Sequence, residues 1–272
     1  MRECKIPFMD AEELLDLGLT YQLKGQLEKA EVYLKKALAQ NPELRSAYLG
    51  LGDIYLKKDR LDMAEEMYAK EIKINPDSVK THLELANVYI LKGEKDKALA
   101  NFEKALSFSP NDWRASRGIG YIYFIRGELA KAVGWFKMAI DGNEDDLALH
   151  FWLALIYHEK GLVTEMDTEI EKARTICQNI DKFMDKSEFV TSYVLGKIAA
   201  LQEKHKEAIK HLEDLRKRIR IKDRKRIEFG LFYDELDILK TLAEVYDKVG
   251  DEILSNTIQK EIANLTQTKP RH

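Results

Sequence analysis

A small residue recurs every 34 positions through the first half of the chain, at Gly18, Gly52, Ala86, Gly120 and Ala154. A tyrosine follows each one three residues later, at Tyr21, Tyr55, Tyr89, Tyr123 and Tyr157. Alanine stands twelve residues after the first four, at Ala30, Ala64, Ala98 and Ala132, and a bulky residue four further on, at Leu34, Tyr68, Phe102 and Phe136. A second alanine closes four of the five copies, at Ala37, Ala105, Ala139 and Ala173, and Glu71 is the departure. Proline ends the first three, at Pro42, Pro76 and Pro110. Self-similarity at this period constrains the fold more than any other feature. It means stacked supersecondary units, none of which can bury its apolar face alone.

The residue types explain what each unit must be. Leu17, Gly18 and Tyr21 share one face of a first helix. The small residue there, and Ala30 opposite it, let a second helix approach closely, while Tyr21 and Leu34 fill the volume between pairs. Gly25, Gly93, Gly127 and Gly161 mark the turn, where a positive φ is cheap only for glycine. Proline stops the second helix by pushing the residue before it out of the α region. Asn75, Asp77 and Asp112 are candidate caps for the helices that follow.

This pattern resembles the tetratricopeptide repeat, and the resemblance covers nearly the whole chain. It implies an all-α fold, an α-solenoid of about seven stacked helix-turn-helix units forming a right-handed superhelix. A regular array is expected over residues 1–180, with units at 11–44, 45–78, 79–112, 113–146 and 147–180. Two degenerate units, 189–222 and 236–269, are expected within residues 181–272. Leu195, Gly196, Ala208, Leu212 and Leu215 carry the first, and Leu242, Ala243, Tyr246 and Gly250 the second, where Ser255 replaces the alanine. Insertions at 181–188 and 223–235 break the period. The first follows a unit in which Met166 and Ile170 replace the alanine and the aromatic. It reads as a longer second helix or as an irregular loop. The second carries Ile227, Phe229, Leu231, Phe232 and Tyr233. It reads as an early start of the next helix, as a segment folded onto a neighbouring unit, or as a docking site. In the last helix Ile253, Leu254, Ile258, Ile262 and Leu265 are expected to face the core, with Asn256, Gln259, Lys260 and Asn264 outward as a cap.

The resemblance also implies where a partner would sit. In this family the first helices line a concave surface, with the second, fifth, ninth and twelfth positions of each unit facing it. Those positions include Lys80, Asn87, Arg114, Arg117, Tyr121, Phe124, Phe151, His158 and Tyr193, with Asp53 and Lys197 among the others. Aromatic and arginine side chains carry most of the energy in protein interfaces. Such a groove suits a peptide segment with several apolar and a few acidic groups, or a partner subunit. The alternative is that the apolar members pack against adjacent first helices. A clamp for the C-terminal carboxylate of heat-shock chaperones is excluded, because Glu84 stands where a basic residue is needed.

Other chemistry has little support. The 44 basic and 47 acidic residues leave a net charge of −3, so no general affinity for nucleic acid follows from the balance. A local patch of Arg216, Lys217, Arg218, Arg220, Lys222, Arg224, Lys225 and Arg226 could hold nucleic acid or an anionic membrane, or be a solvated helix end. The histidines form no metal constellation: His205 and His211 fall on different faces, and Glu207 with His211 leaves a site incomplete. Gly118 and Gly120 imitate the start of a dinucleotide fingerprint but lie inside a helical pattern with no strand before it. No catalytic residues, metal or cofactor are expected. Cys4 and Cys177 suggest a reducing compartment, and the opening residues lack the apolar core of a secretory signal. No segment approaches the roughly 20 apolar residues of a membrane span. The expectation is a cytoplasmic, non-catalytic scaffold or adaptor that binds a peptide or partner subunit. The alternatives are a polyanion binder acting through the basic patch and a self-assembling structural protein.

Overall fold

The computed structural model describes residues 9–183, 188–218, 226–228, 231–233 and 235–267. The fold is an all-α solenoid of helical repeats, interrupted among the described residues by one short two-stranded sheet. It divides into two compact units, one running through Gly142 and the other beginning at Asn143. The N-terminal unit holds four helix pairs among its described residues. These are α1 (Ala11–Leu23) with α2 (Leu27–Gln40), α3 (Ala47–Lys57) with α4 (Leu61–Ile74), α5 (Val79–Lys92) with α6 (Lys95–Phe108), and α7 (Trp113–Ile125) with α8 (Leu129–Gly142).

Close approach within each pair depends on the small residues. A Cβ at Gly52 would lie 2.4 Å from the Tyr68 ring, and one at Gly120 would lie 2.5 Å from Phe136. Ala30, Ala64, Ala98 and Ala132 are fully buried on the opposing helices. The same bulky side chains also join successive pairs. Leu34 presses on Gly18 of its own pair and on Gly50 of the next, and Phe102 meets Gly118 of the next pair at 2.3 Å from its would-be Cβ. Ion pairs repeat this join at the rim. Glu31 on α2 accepts from Tyr55 Oη at 3.1 Å and Lys58 Nζ at 2.8 Å. One repeat later, Glu65 accepts from Tyr89 Oη at 3.0 Å and from Lys92, and Arg126 then pairs with Asp96.

Caps explain the helix starts, with one substitution of roles. Asp10 forms a capping box with Glu13, and Ser78, Asp112 and Asp146 accept from the first-turn amides of the helices that follow them. The expected caps hold only in part: Asp112 is one, but Asn75 ends α4 and Ser78 takes the place expected of Asp77. In the second pair Leu44 occupies the capping register and is buried. Ser46, next before α3, has φ 68 and makes no side-chain cap. The carboxylate of Glu71, fully buried on α4, accepts from Ser46 N at 2.8 Å and Leu49 N at 3.3 Å instead. The departure from the alanine pattern is therefore a cap delivered from the partner helix.

The C-terminal unit has three helix pairs among its described residues: α9 (Leu147–Glu159) with α10 (Val163–Phe183), α11 (Glu188–Leu201) with α12 (His205–Arg218), and α13 (Glu235–Val249) with α14 (Glu252–Gln267). Helix α10 is 21 residues long, against 14 for α2, α4, α6 and α8. The first insertion thus begins as an extension of that helix, and its remainder, 184–187, lies outside the described residues. The second insertion does not begin the next helix early. Its residues form β1 (Arg226–Glu228) and β2 (Leu231–Tyr233), paired antiparallel with Ile227 opposite Phe232, before α13 opens at Glu235.

The last helix keeps most of its expected setting, with Ile258 buried and Asn256, Gln259, Lys260 and Asn264 exposed, but its first turn departs from it. Ile253 and Leu254 are 80% and 41% exposed, whereas Ser255 and Ile258 are buried. Ser255 holds the place that alanine takes elsewhere, and the need for a small side chain at the close approach outweighs the greater apolarity of its neighbours.

Candidate functional site

The N-terminal unit presents a face built from α1, α3, α5 and α7. Its polar centre is Asp53 on α3, which accepts from Tyr68 Oη at 2.8 Å, from Gln22 Nε2 at 3.3 Å and from Lys80 Nζ at 3.5 Å. Burial, with the charges of Asp53 and Glu84, pushes the Tyr68 hydroxyl far above its ordinary value, so it is a permanent donor. Burial also raises the Glu84 carboxyl, helped by the nearby Asp53 charge, against the opposing pull of Asn87, Lys80 and Arg114. Asn87 Nδ2 donates to Glu84 at 3.3 Å.

The candidate residues of this face remain accessible to different degrees. The Lys80 and Arg114 side chains are 56% and 46% exposed. Arg114 is not independent, however, because its guanidinium grips Asp112, the cap of its own helix, at 2.6 Å. Arg117 lies over the Trp113 ring at 5.0 Å. Tyr121 and Phe124 are half-buried.

In the C-terminal unit the corresponding face closes on itself. Phe151 on α9 is 1% exposed and meets Tyr193 of α11 edge-on, with ring centroids 5.7 Å apart. Tyr193 is itself buried and donates to Asp237 of α13 at 2.6 Å. These two rings thus follow the alternative of packing between first helices, and they are not offered to a partner. Lys197 on α11 reaches Asp237 Oδ1 at 3.1 Å and Thr241 Oγ1 at 2.9 Å. Beyond this seam the face opens into a cleft of about 140 Å³, lined by Leu155 and His158 of α9, by Lys197, Ala200 and Leu201 of α11, and by Thr241, Glu244, Val245 and Lys248 of α13. Of the expected residues only His158 reaches it with an exposed side chain.

Two stretches of the chain match models of the tetratricopeptide repeat, residues 22–71 and residues 83–146. The chain is a tetratricopeptide-repeat protein. Solved structures share its fold at low identity. That of pilF from Pseudomonas aeruginosa superposes with a TM-score of 0.61 at 16% identity, over 76% of this chain and 90% of that one. A tetratricopeptide-repeat protein from Parabacteroides merdae gives 0.59 at 17% identity, over 93% of this chain and 92% of the other. YrrB, described as having an unusual peptide-binding site, gives 0.51 at 21% identity, over 61% and 86%. No curated protein matches the chain.

Among the remaining features of this tetratricopeptide-repeat protein, Gly118, Gly120 and His150 have structural roles. Gly118 and Gly120 sit within α7, each pressed against an aromatic ring. His150 is buried, with Nδ1 facing Glu169 and Nε2 donating to the Glu144 carbonyl. The His150 bond holds the Glu169 carboxyl below its usual value even though burial alone would raise it. Within the basic stretch Arg216 bonds Glu213 and Glu261. Lys217 is exposed, and Arg220, Lys222, Arg224 and Lys225 lie outside the described residues, as do the side chains of Arg218 and Arg226. Among the described residues no three His, Cys, Asp or Glu side chains are placed to hold a metal ion, and no helix is long and apolar enough to cross a membrane.

Sequence reasoning missed Thr241, Glu244, Val245 and Lys248 although α13 falls within the expected unit 236–269, because it read the groove positions only as far as the sixth unit. It noted Glu71 as an exception without a role, since the missing cap at Leu44 becomes meaningful only once α3 and α4 are placed together.

Proposed function

We propose that this protein is a non-catalytic scaffold that holds a peptide segment or partner subunit on the first-helix face of its N-terminal unit. The observation that carries the proposal is that the first helices α5 and α7 leave Lys80 mostly exposed and the rings of Tyr121 and Phe124 only half-buried. Partly covered aromatic rings are among the side chains that anchor interfaces. Asp53, Asn87 and Glu84 supply polar groups on the same face, and the use of a related fold in YrrB for peptide binding is consistent with this reading.

The test is a crosslinking capture from the native source with wild type and with the double variant Lys80→Glu, Phe124→Ala. Arg114 is left intact because it also steadies the α7 cap. Loss of the wild-type partners with unchanged helicity by circular dichroism is the expected result. Retention of the same partners by a folded variant removes this face from the function. Of the residues of the polyanion alternative, Arg216 is already paired with two glutamates.

A further inference from the structure

We propose that the C-terminal unit carries a proton-operated staple: His150 and Glu169 keep between them one proton that the unfolded chain gives up, so the α9–α10 pair tightens with proton uptake and loosens as pH rises above neutrality. The staple is independent of partner binding on the N-terminal unit.

Proton counting is the first argument. His150 is 2% exposed and Glu169 9%. Nδ1 of the ring faces the Glu169 carboxylate, and Nε2 faces the Glu144 carbonyl at 2.6 Å. A neutral imidazole has one N–H and can satisfy one of these two acceptors. The other contact would then set a ring lone pair against an oxygen out of water, which is costly. One added proton removes the conflict, and it belongs to the pair as a whole. Burial tends to raise the Glu169 carboxyl, but the hydrogen bond and charge of His150 hold it below its usual value. The proton therefore sits on the ring.

The third repeat supplies the comparison. His82 holds the same register position as His150, and its two partners stand six and nineteen residues away, as they do for His150. Its Nε2 faces the Pro76 carbonyl at 3.0 Å, and its Nδ1 faces the Asn101 amide at 3.2 Å. An amide carries both donors and an acceptor, so a neutral ring is satisfied there without an added proton. Asn101 in one repeat and Glu169 in the other make the difference.

The groups around the pair leave this count in place. On α10, Lys172 Nζ lies 3.5 Å from Glu169 Oε1, with half of its side chain exposed. Glu165 of α10 and Tyr157 of α9 stand nearby, and burial with the charges of Glu169 and Glu165 pushes the Tyr157 hydroxyl up, so it stays uncharged. The loop before α9 brings the exposed Glu144 and Asp145, and Asp146, whose carboxylate caps the helix by accepting from Leu149 N at 3.1 Å. On α11 the described charged side chain is Lys197, held by Asp237.

Proton uptake fixes the direction of the effect. Above about pH 6.5 a free histidine is neutral and a free glutamate is charged. The unfolded chain then holds no proton at these two positions, while the folded pair holds one. Each further pH unit therefore raises the unfolding constant about tenfold, until the pair gives its proton up. On the acid side the contribution is lost only as pH falls through the Glu169 value, which lies below the ordinary 4.5.

The experiment uses the full chain with ¹⁵N-labelled histidine. At pH 7.5 both ring nitrogens of His150 are expected to carry hydrogens, and only one nitrogen of His82. A single hydrogen on the His150 ring overturns the proposal. Urea unfolding, followed at the Trp152 indole NMR signal in α9, is then compared between wild type and Glu169→Gln from pH 7 to pH 8. Glutamine offers the ring a donor without a charge. Over that unit the wild-type unfolding constant is expected to rise about tenfold more than that of the variant. Equal slopes overturn the proposal. If Glu169→Gln does not fold, the hydrogen count on the wild-type His150 ring decides alone.

Discussion

The two compact units put the same register positions to opposite uses. In the N-terminal unit the fifth position of the fourth repeat is Arg117, lying over Trp113 at 5.0 Å, and the face around it keeps Tyr121 and Phe124 half-buried. In the C-terminal unit the fifth positions of the fifth and sixth repeats are Phe151 and Tyr193, which seal against each other. Arg117 stays half-buried at this position. The aromatic pair closes the face and moves the accessible surface one helical turn on, to the cleft at Leu155 and Val245.

The largest expected effect tests that contrast directly. Phe151→Ala should cost about 3–5 kcal/mol, as for other fully buried aromatics, whereas Phe124→Ala on the open face should cost roughly 1 kcal/mol. Urea titration of each variant measures both. Similar costs would mean that the two faces are packed alike. A smaller effect concerns the internal geometry of the open unit. Glu71→Ala restores the regular alanine of the repeat, yet it strips the Ser46 and Leu49 amides of their acceptor. It should therefore destabilise the fold by about 1–3 kcal/mol, again by urea titration. Stabilisation by the consensus residue would show that the Glu71 cap contributes nothing.

The smallest effect lies in the pH dependence of the joins between repeats. Burial tends to raise the Glu31 carboxyl, but hydrogen bonds from Lys35, Lys58 and Tyr55 overcome it and hold the pKa at about 2, below the ordinary 4.5. A depressed carboxyl contributes stability that is present above its unfolded value and is lost as pH falls through the folded one. The wild type should therefore lose stability between pH 4.5 and about 2, and Glu31→Gln should flatten that limb of the thermal-unfolding profile. Because the pair is near the surface, the difference should be modest. An unchanged acid limb would show that this join is not electrostatic.

Much of the fold was legible in the sequence because its constraints are local. Gly52 against Tyr68, Ala64 on the facing helix and the turn glycines each belong to contacts within one 34-residue window, so spacing alone revealed them. The candidate site was less legible. Lys80, Asn87, Tyr121 and Phe124 could be placed on a face by counting, but their exposure depends on what the next helix brings opposite them. The same count put Phe151 and Tyr193 on that face, and only the meeting of α9 with α11 buries them.

By itself the sequence determined the repeat, its helix-turn-helix form and the residues of each close approach, because these follow from steric rules within a pair. The tertiary structure alone decided which first-helix positions remain open, that Glu71 caps α3 and that a cleft forms at α13. Each of those outcomes depends on groups distant in sequence meeting in space: a buried amide must find an acceptor wherever one is supplied, and an aromatic ring fills whatever gap its neighbours leave.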